Sequence, residues 1–147
     1  MTKDVLISIS GTQFSEFDTD DVEMITTGDY FMKNGKHYIL YDEIEEDSRE
    51  IIKNTIKIRP DGMDVIKKGC TNTHMIFEKN KKNLSSYMTP MGEMVVGVTT
   101  NDIRIYEEEY HLKVNVDYSL EINYQHVSDC NITVSVRARN AEGVLGV

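Results

Sequence analysis

Four histidines, His37, His74, His111 and His126, are the side chains of this chain best suited to proton transfer or metal binding near neutral pH. None stands in an HxH or HExxH spacing. His111 follows Glu107, Glu108 and Glu109, but successive strand residues face opposite ways, so Glu109 and His111 share a face and Glu108 does not. A metal needs convergent ligands of fixed geometry, and this run reads as a solvated hairpin tip. Tyr87 and Thr89 share a strand face, yet neither has a base beside it in sequence to activate a hydroxyl. They read as a corner where a tyrosine hydroxyl ties down backbone. No G-x-S-x-G elbow, P-loop or dinucleotide fingerprint occurs. The expectation is a non-enzyme with no catalytic residue, no metal and no cofactor.

What remains is binding, and binding needs elements that converge. Leu112, Val114, Val116, Tyr118, Leu120, Ile122 and Tyr124 alternate with Lys113, Asn115, Asp117, Ser119, Glu121 and Asn123. Side chains on a strand alternate faces with a period of two, so 110–124 reads as a long strand whose even-numbered face is dry and whose odd-numbered face is wet. Val5, Ile7 and Ile9 open the chain the same way, ending at Gly11. Residues 12–20 read as a loop and 21–33 as a second strand, with Gly28 marking a bulge or bend. Asn34-Gly35 is the strongest short hairpin signal, because both turn positions need positive φ. Lys36 to Ile44 returns. Asp42 to Arg49 is a charged connection, and residues 42–53 hold at most one short helical turn.

Ile52, Ile56 and Ile58 mark the next strand, with Thr55 and Lys57 facing the other way. Pro60-Asp61-Gly62 is a turn. Met63 to Gly69, His74 to Glu78, Asn83 to Thr89 and Glu93 to Thr100 follow as strands, then an Asn101-Asp102 turn and a short strand at Ile103 and Ile105. Ile132, Val134, Val136 and Ala138 alternate in the last strand. About ten strands with short turns and no amphipathic helix of three turns imply an all-β, antiparallel barrel, closed or nearly so, in one domain over 1–147. Closure would also remove the exposed edges of such long strands.

The 147 residues contain 25 acidic and 16 basic side chains, a formal charge of −9. That balance repels phosphate backbones and anionic bilayers, so neither nucleic acid nor membrane is an expected partner. Hydrophobic residues make up 39%, enough for a sheet that is dry on one face. Cys70 and Cys130 have neither a CxxC spacing nor a secreted disulfide pattern, and read as free thiols. The opening MTKDVLISIS holds no signal-like apolar stretch, so the expected compartment is the cytoplasm.

Several segments together resemble a known family: Gly28 with Tyr30; Tyr38, Leu40, Tyr41 and Glu43; Thr55 with Lys57; Gly69 and Phe77; Tyr87-Met88-Thr89-Pro90-Met91-Gly92 and Thr99; Tyr118-Ser119-Leu120; and Asn131-Ile132-Thr133-Val134. The YxTPxG-like segment before the long final hairpin is the most specific. The chain thus resembles the YwiB-like family, a bacterial domain of unknown function. The resemblance covers nearly the whole chain. It implies a calycin-like (lipocalin-like) β-barrel of roughly 8–10 strands in the cytoplasm of Gram-positive bacteria, and no assigned catalytic residue.

An eight-stranded barrel is just wide enough either to fill its interior with side chains or to hold one small ligand. The strand tyrosines Tyr30, Tyr38, Tyr41, Tyr87, Tyr118 and Tyr124 carry apolar area plus a polar handle, and Met24, Met63, Met75, Met88 and Met94 suit either a core or an adaptable pocket. If their strands are hairpin partners, Glu43 and Lys57 pair across the sheet, and at a barrel mouth the same pair meets a polar ligand. The expected ligand-binding residues, in the interior or the mouth, are therefore Tyr38, Tyr41, Glu43, Lys57, Tyr87 and Tyr118. The expected function is binding of a small hydrophobic or amphipathic ligand; the alternative is a protein-interaction or homodimer-forming module. An interior packed by Phe77, Tyr118, Leu120, Ile132 and Val134 would count against an internal ligand.

Overall fold

The computed structural model describes residues 3–15, 18–69 and 72–139, with side chains over 12–22 left aside. Ten antiparallel strands follow one another around a nearly closed barrel: β1 (Asp4–Ser15), β2 (Asp18–Lys33), β3 (Lys36–Ile44), β4 (Ile51–Arg59), β5 (Gly62–Lys68), β6 (Thr73–Glu78), β7 (Lys82–Thr89), β8 (Gly92–Glu107), β9 (His111–Ile122) and β10 (Gln125–Ala138). The sheet order is β6-β5-β4-β3-β2-β1-β10-β9-β8-β7. Every strand therefore pairs with its sequence neighbours except β6 and β7, which end the sheet, and the first pairs with the last. Val5↔Ala138 through Gly11↔Ile132 form that closing ladder.

Alternation decides which side chains fill the barrel. Val5, Ile7, Ile39, Ile56, Ile58, Met63, Val96, Val114, Val134 and Val136 are all buried. Phe77 and Tyr118 meet edge to face, their centroids 5.0 Å apart. Phe77, Tyr118, Leu120, Ile132 and Val134 all belong to one buried cluster. Side chains thus pack the barrel, the arrangement that counts against a ligand enclosed among them. The even face of β9 is dry from Leu112 to Leu120, Ile122 is half-buried, and the alternation ends there. Tyr124 is 68% exposed because Asn123 and Tyr124, at φ 50° and 68°, form the two-residue turn into β10. The odd face is wet but knitted together: Asn115 donates to Thr133 Oγ1 at 2.7 Å, and Asn131 to Asp117 at 2.6 Å.

Two local expectations are corrected. Residues 12–15 and 18–20 are not a loop: the β1–β2 ladder continues through Gln13↔Asp20 to Ser15↔Asp18. This ribbon runs past the end of the β1–β10 pairing at Gly11, so backbone bonds define it where hydrophobic alternation does not. Asn101-Asp102 is not a turn either. β8 is continuous, and its pairing with β9 shifts by one residue between Thr100 and Asp102, which makes Asn101 a β-bulge. The Asn34-Gly35 turn has φ of 54° and 75° as expected, and Arg49 N–H donates to Glu45 O at 2.9 Å in the single helical turn before β4. Cys130 is a buried free thiol, whereas Cys70 lies outside the described residues.

Leu120 is fully buried. Leu120→Asp places an unpaired charge in the core, and urea denaturation should register a loss of at least about 3 kcal/mol. A loss below about 1 kcal/mol would mean the face assignment is wrong.

Candidate functional site

Strand register stacks the inward side chains of β3, β4, β5 and β6 into rungs. One rung is His37, Ile58, Met63 and Phe77; the next is Ile39, Ile56, Val65 and Met75. The third is polar from end to end: Tyr41, Asn54, Lys67 and Thr73. It lies at the barrel end where β3 leaves toward the 45–50 connection and β5 leaves toward β6. Asn54 has the same strand parity as Ile52, Ile56 and Ile58, so a polar residue in an apolar row was the sequence signal for this site, and it was missed.

The chemistry of this mouth is specific. Glu43 Oε1 accepts from Lys67 Nζ at 2.7 Å, and both side chains are mostly buried. Burial, reinforced by the Glu43 carboxylate, pushes the Tyr41 phenol well above its ordinary value and keeps it a neutral donor. Asn54 is 1% exposed. Its Nδ2 donates to Ile52 O at 3.2 Å, while its Oδ1 has no hydrogen-bond partner among the described residues. Buried polar atoms are nearly always paired, so an orphan acceptor is informative.

Two hollows flank the rung. β2 pairs with β3 only from Lys33↔Lys36 to Asp29↔Leu40, and then the strands part. A cleft of about 610 Å³ opens there, lined by Asn54, Tyr41, Thr26, Asp29, Lys53 and Arg139 among others. On the other side, β6 and β7 are joined by the turn at 79–81 but share no ladder. Ser85 Oγ donates to His74 O at 2.8 Å and Asn83 Nδ2 to Ile76 O at 3.4 Å, so side chains bridge the seam in place of backbone. A hollow of about 280 Å³, lined by Lys67, Thr73 and Tyr87, opens along it.

Of the six expected ligand residues, the fold brings Tyr41, Glu43 and Tyr87 to this end. Burial raises the Tyr87 phenol, against hydrogen bonding with the His74 backbone and Ser85. Tyr118 is deep in the core, its hydroxyl raised by burial and by Cys130 beside it. Tyr38 and Lys57 are corrections. Odd-numbered β3 residues and even-numbered β4 residues face inward, so these two lie outside. There Tyr38 stacks on Phe31 at 4.8 Å, and Lys57 sits 5.7 Å over the Tyr38 ring. The register pairs Lys57 with Tyr38 and Glu43 with Ile52, so no Glu43–Lys57 pair forms; Lys67, on the inner face, takes its place. Met88 is also outside, 77% exposed. Thr89 Oγ1 accepts from Met91 N–H at 3.2 Å and donates to Gly92 O at 2.8 Å, which makes it the closure of the Pro90-Met91 turn.

The opposite end holds a second polar chain. The Tyr30 hydroxyl lies 2.7 Å from His37 Nδ1, and His37 Nε2 lies 2.9 Å from Glu107 Oε1. A carboxylate only accepts, so Nε2 donates to it, and the Tyr30 hydroxyl meets Nδ1 on the other side of the ring. Both ring nitrogens are satisfied, and the contact pins the end of β8 to β3. On the outer face, Asp64 accepts from Arg59 and from His74 Nε2 at 3.0 Å. Burial pushes the Asp64 carboxyl up, but the bonds from His74 and Arg59 and the Arg59 charge outweigh it and leave it below its ordinary 3.8. Among the described residues no three His, Cys, Asp or Glu side chains are grouped to hold a metal.

Two measurements follow from these pairs. A double-mutant cycle with Glu43→Gln and Lys67→Met should return a coupling of about 0.5–1 kcal/mol. The same cycle with Lys57→Met should return none. Because the folded-state pKa of Asp64 is depressed, its contribution to stability is complete above the unfolded carboxyl range and is lost as pH falls through the folded value. Asp64→Asn should therefore flatten the stability profile below about pH 4 in denaturation at stepped pH. An unchanged slope would remove Asp64 from the acid response.

The curated protein described as "Uncharacterized beta-barrel protein YwiB", from Bacillus subtilis (strain 168), is 22% identical over 114 residues, covering 78% of this chain and 79% of that protein. The crystal structure of the ywiB protein from Bacillus subtilis superposes with a TM-score of 0.74 at 19% identity, covering 92% of each chain. That likeness shows the barrel fold. A family model described as a domain of unknown function, DUF1934, matches residues 7–134. The chain belongs to the DUF1934 family of β-barrel proteins.

Proposed function

We propose that this protein is a non-enzymatic binding barrel that takes one small molecule at its polar mouth, not within its packed interior. The observation that carries this reading is the Tyr41–Asn54–Lys67–Thr73 rung, in which a nearly inaccessible amide keeps an unused acceptor beside an open cleft. Leaving a buried acceptor unsatisfied costs roughly 1–3 kcal/mol, a penalty that a bound donor removes. The cleft volume lies within the range of ordinary ligand sites. A calycin-like or lipocalin-like reading goes with this proposal, since up-and-down barrels of that kind hold a small ligand at one open end. Its support here is the meander order of the strands and the polar rung beside an open cleft. Cytoplasmic residence is part of the same reading, supported by the unbridged Cys130 thiol. The acidic charge of −9 supports a partner set without nucleic acid or membrane.

A second reading has its own observation. Leu84, Met88 and Met91 are 53%, 77% and 86% exposed along β7 and its turn, beside the seam, which favours a homodimer or protein-partner surface there.

Native mass spectrometry of protein gently purified from its own cytoplasm separates the two. A stoichiometric small-molecule adduct that is lost on denaturation, and absent from Asn54→Leu, is the expected result. A homo-oligomer or a retained protein partner without any adduct would replace the mouth reading with the interaction module.

A further inference from the structure

Resting on the mouth reading, we infer that the cleft between β2 and β3 selects a ligand carrying a hydrogen-bond-donating cation, a primary ammonium or amidinium group, and that Asn54 Oδ1 is its innermost acceptor. The cleft begins where β2 and β3 part, beside Gly28, where the two backbones still lie close. Gly28 has no side chain; a Cβ there would lie 2.3 Å from Leu40 O and 2.7 Å from Ile7 Cδ1. The last rung of the ladder is Asp29↔Leu40. Beyond it, β2 pairs with β1 alone and β3 with β4 alone, and the inward side chains of β4 face the opening.

The orientation of the Asn54 amide follows from its neighbour. Ile52 O is an acceptor, so the atom 3.2 Å from it must be the Nδ2 donor; a flipped amide would set two oxygens against each other. Oδ1 is thereby fixed as the free atom, and only a donor can satisfy it.

The charges around the cleft favour the same ligand. Three carboxylates, Asp4, Asp29 and Asp42, face two basic side chains, Lys53 and Arg139. Lys53 Nζ is already engaged by both Asp42 oxygens, at 3.3 and 3.4 Å. Asp29, on the rim, has no ion-pair partner among the described residues and lies one step from the parting glycine. A cationic donor reaching Asn54 would thus have an unpaired carboxylate at the entrance. A single water molecule would also satisfy Oδ1, but a cleft of about 610 Å³ holds far more than one.

The test uses two probes matched in size, n-butylammonium and butyrate, titrated at low millimolar concentration into isotopically labelled protein. The readouts are the Asn54 side-chain amide and the backbone amides of Thr26, Asp29 and Tyr41. Butylammonium should shift these signals saturably and butyrate should not. Asn54→Leu should weaken butylammonium by about tenfold or more, the loss of one charge-assisted bond. Asp29→Asn, a rim substitution that leaves the core untouched, should weaken it less, and serves if the Asn54 variant does not fold. Shifts with butyrate in place of butylammonium would overturn the cation assignment and leave the mouth reading standing. Butylammonium binding that is unchanged in both variants, or no shift with either probe, would overturn the inference; the adduct measurement then decides the mouth reading separately.

Discussion

A ten-stranded sheet wrapped around its own core must close, and here closure rests on one ladder, β1 against β10. The two ends of the sheet, β6 and β7, are consecutive in the chain and would ordinarily form a hairpin. They do not. At their turn the backbone bridges the seam, with Lys81 N–H donating to Glu78 O at 3.0 Å, and the turn is tied to β8 by Asn80 N–H donating to Thr100 O at 2.8 Å and Thr100 N–H to Lys81 O at 3.1 Å. Toward the mouth side chains of β7 span it instead, with Asn83 and Ser85 donating to β6 carbonyls. The barrel is therefore tight at one end and parted at the other, and that asymmetry produces the two hollows on either side of the polar rung. Edge groups left to water would invite pairing with another chain; short polar side chains aimed at the β6 carbonyls blunt that hazard without completing the ladder.

The same asymmetry sorts the polar groups inside. At the tight end, Tyr30, His37 and Glu107 form a chain in which each partner is accounted for. A fully satisfied buried network rigidifies a fold, whereas a half-satisfied one is a liability. At the parted end, Glu43 and Lys67 satisfy each other, but Asn54 has one half of its amide engaged and the other idle. Both ends carry buried polar side chains, and at the parted end the idle Asn54 acceptor belongs to a residue that lines an open cleft. That difference, more than the presence of tyrosines or charge, separates a structural cluster from a site.

The architecture was legible because alternation is a backbone property. Lys36 to Ile44, the Asn34-Gly35 turn and the dry even face of β9 follow from side-chain period and turn chemistry alone. The sequence over 12–20 lacks hydrophobic alternation, so the paired residues 12–15 and 18–20 read as a loop; and because a bulge keeps a strand continuous where polar residues suggest a turn, Asn101 reads as part of one. The site was only half legible. Tyr41 and Glu43 share a parity that points inward, but Tyr38 lies one parity away, and the Lys57 row could be assigned only with the register in hand. Glu43 meets Lys67 across two strands, a relation that depends on the stagger of β3, β4 and β5 together. Asn54 stands in the sequence as the polar member of an isoleucine row, a signal with neither charge nor aromaticity to mark it.

The parting of β2 from β3 and the polarity of the rung beneath are one feature. Once the ladder stops at Asp29 and Leu40, the free edge of β3 needs water, and water that reaches the edge also reaches the mouth. In a mouth that water enters, Glu43 and Lys67 can keep charged groups turned inward that a sealed barrel would penalise heavily. Solvent access explains those two, which retain a quarter to a third of their side-chain exposure. It does not explain Asn54, which water barely touches from outside. An isoleucine at that position would extend the row of Ile52, Ile56 and Ile58 and remove the orphan oxygen. The amide therefore subtracts from the stability of the barrel unless something in the cleft donates to it, and the barrel leaves the space for that donor to enter.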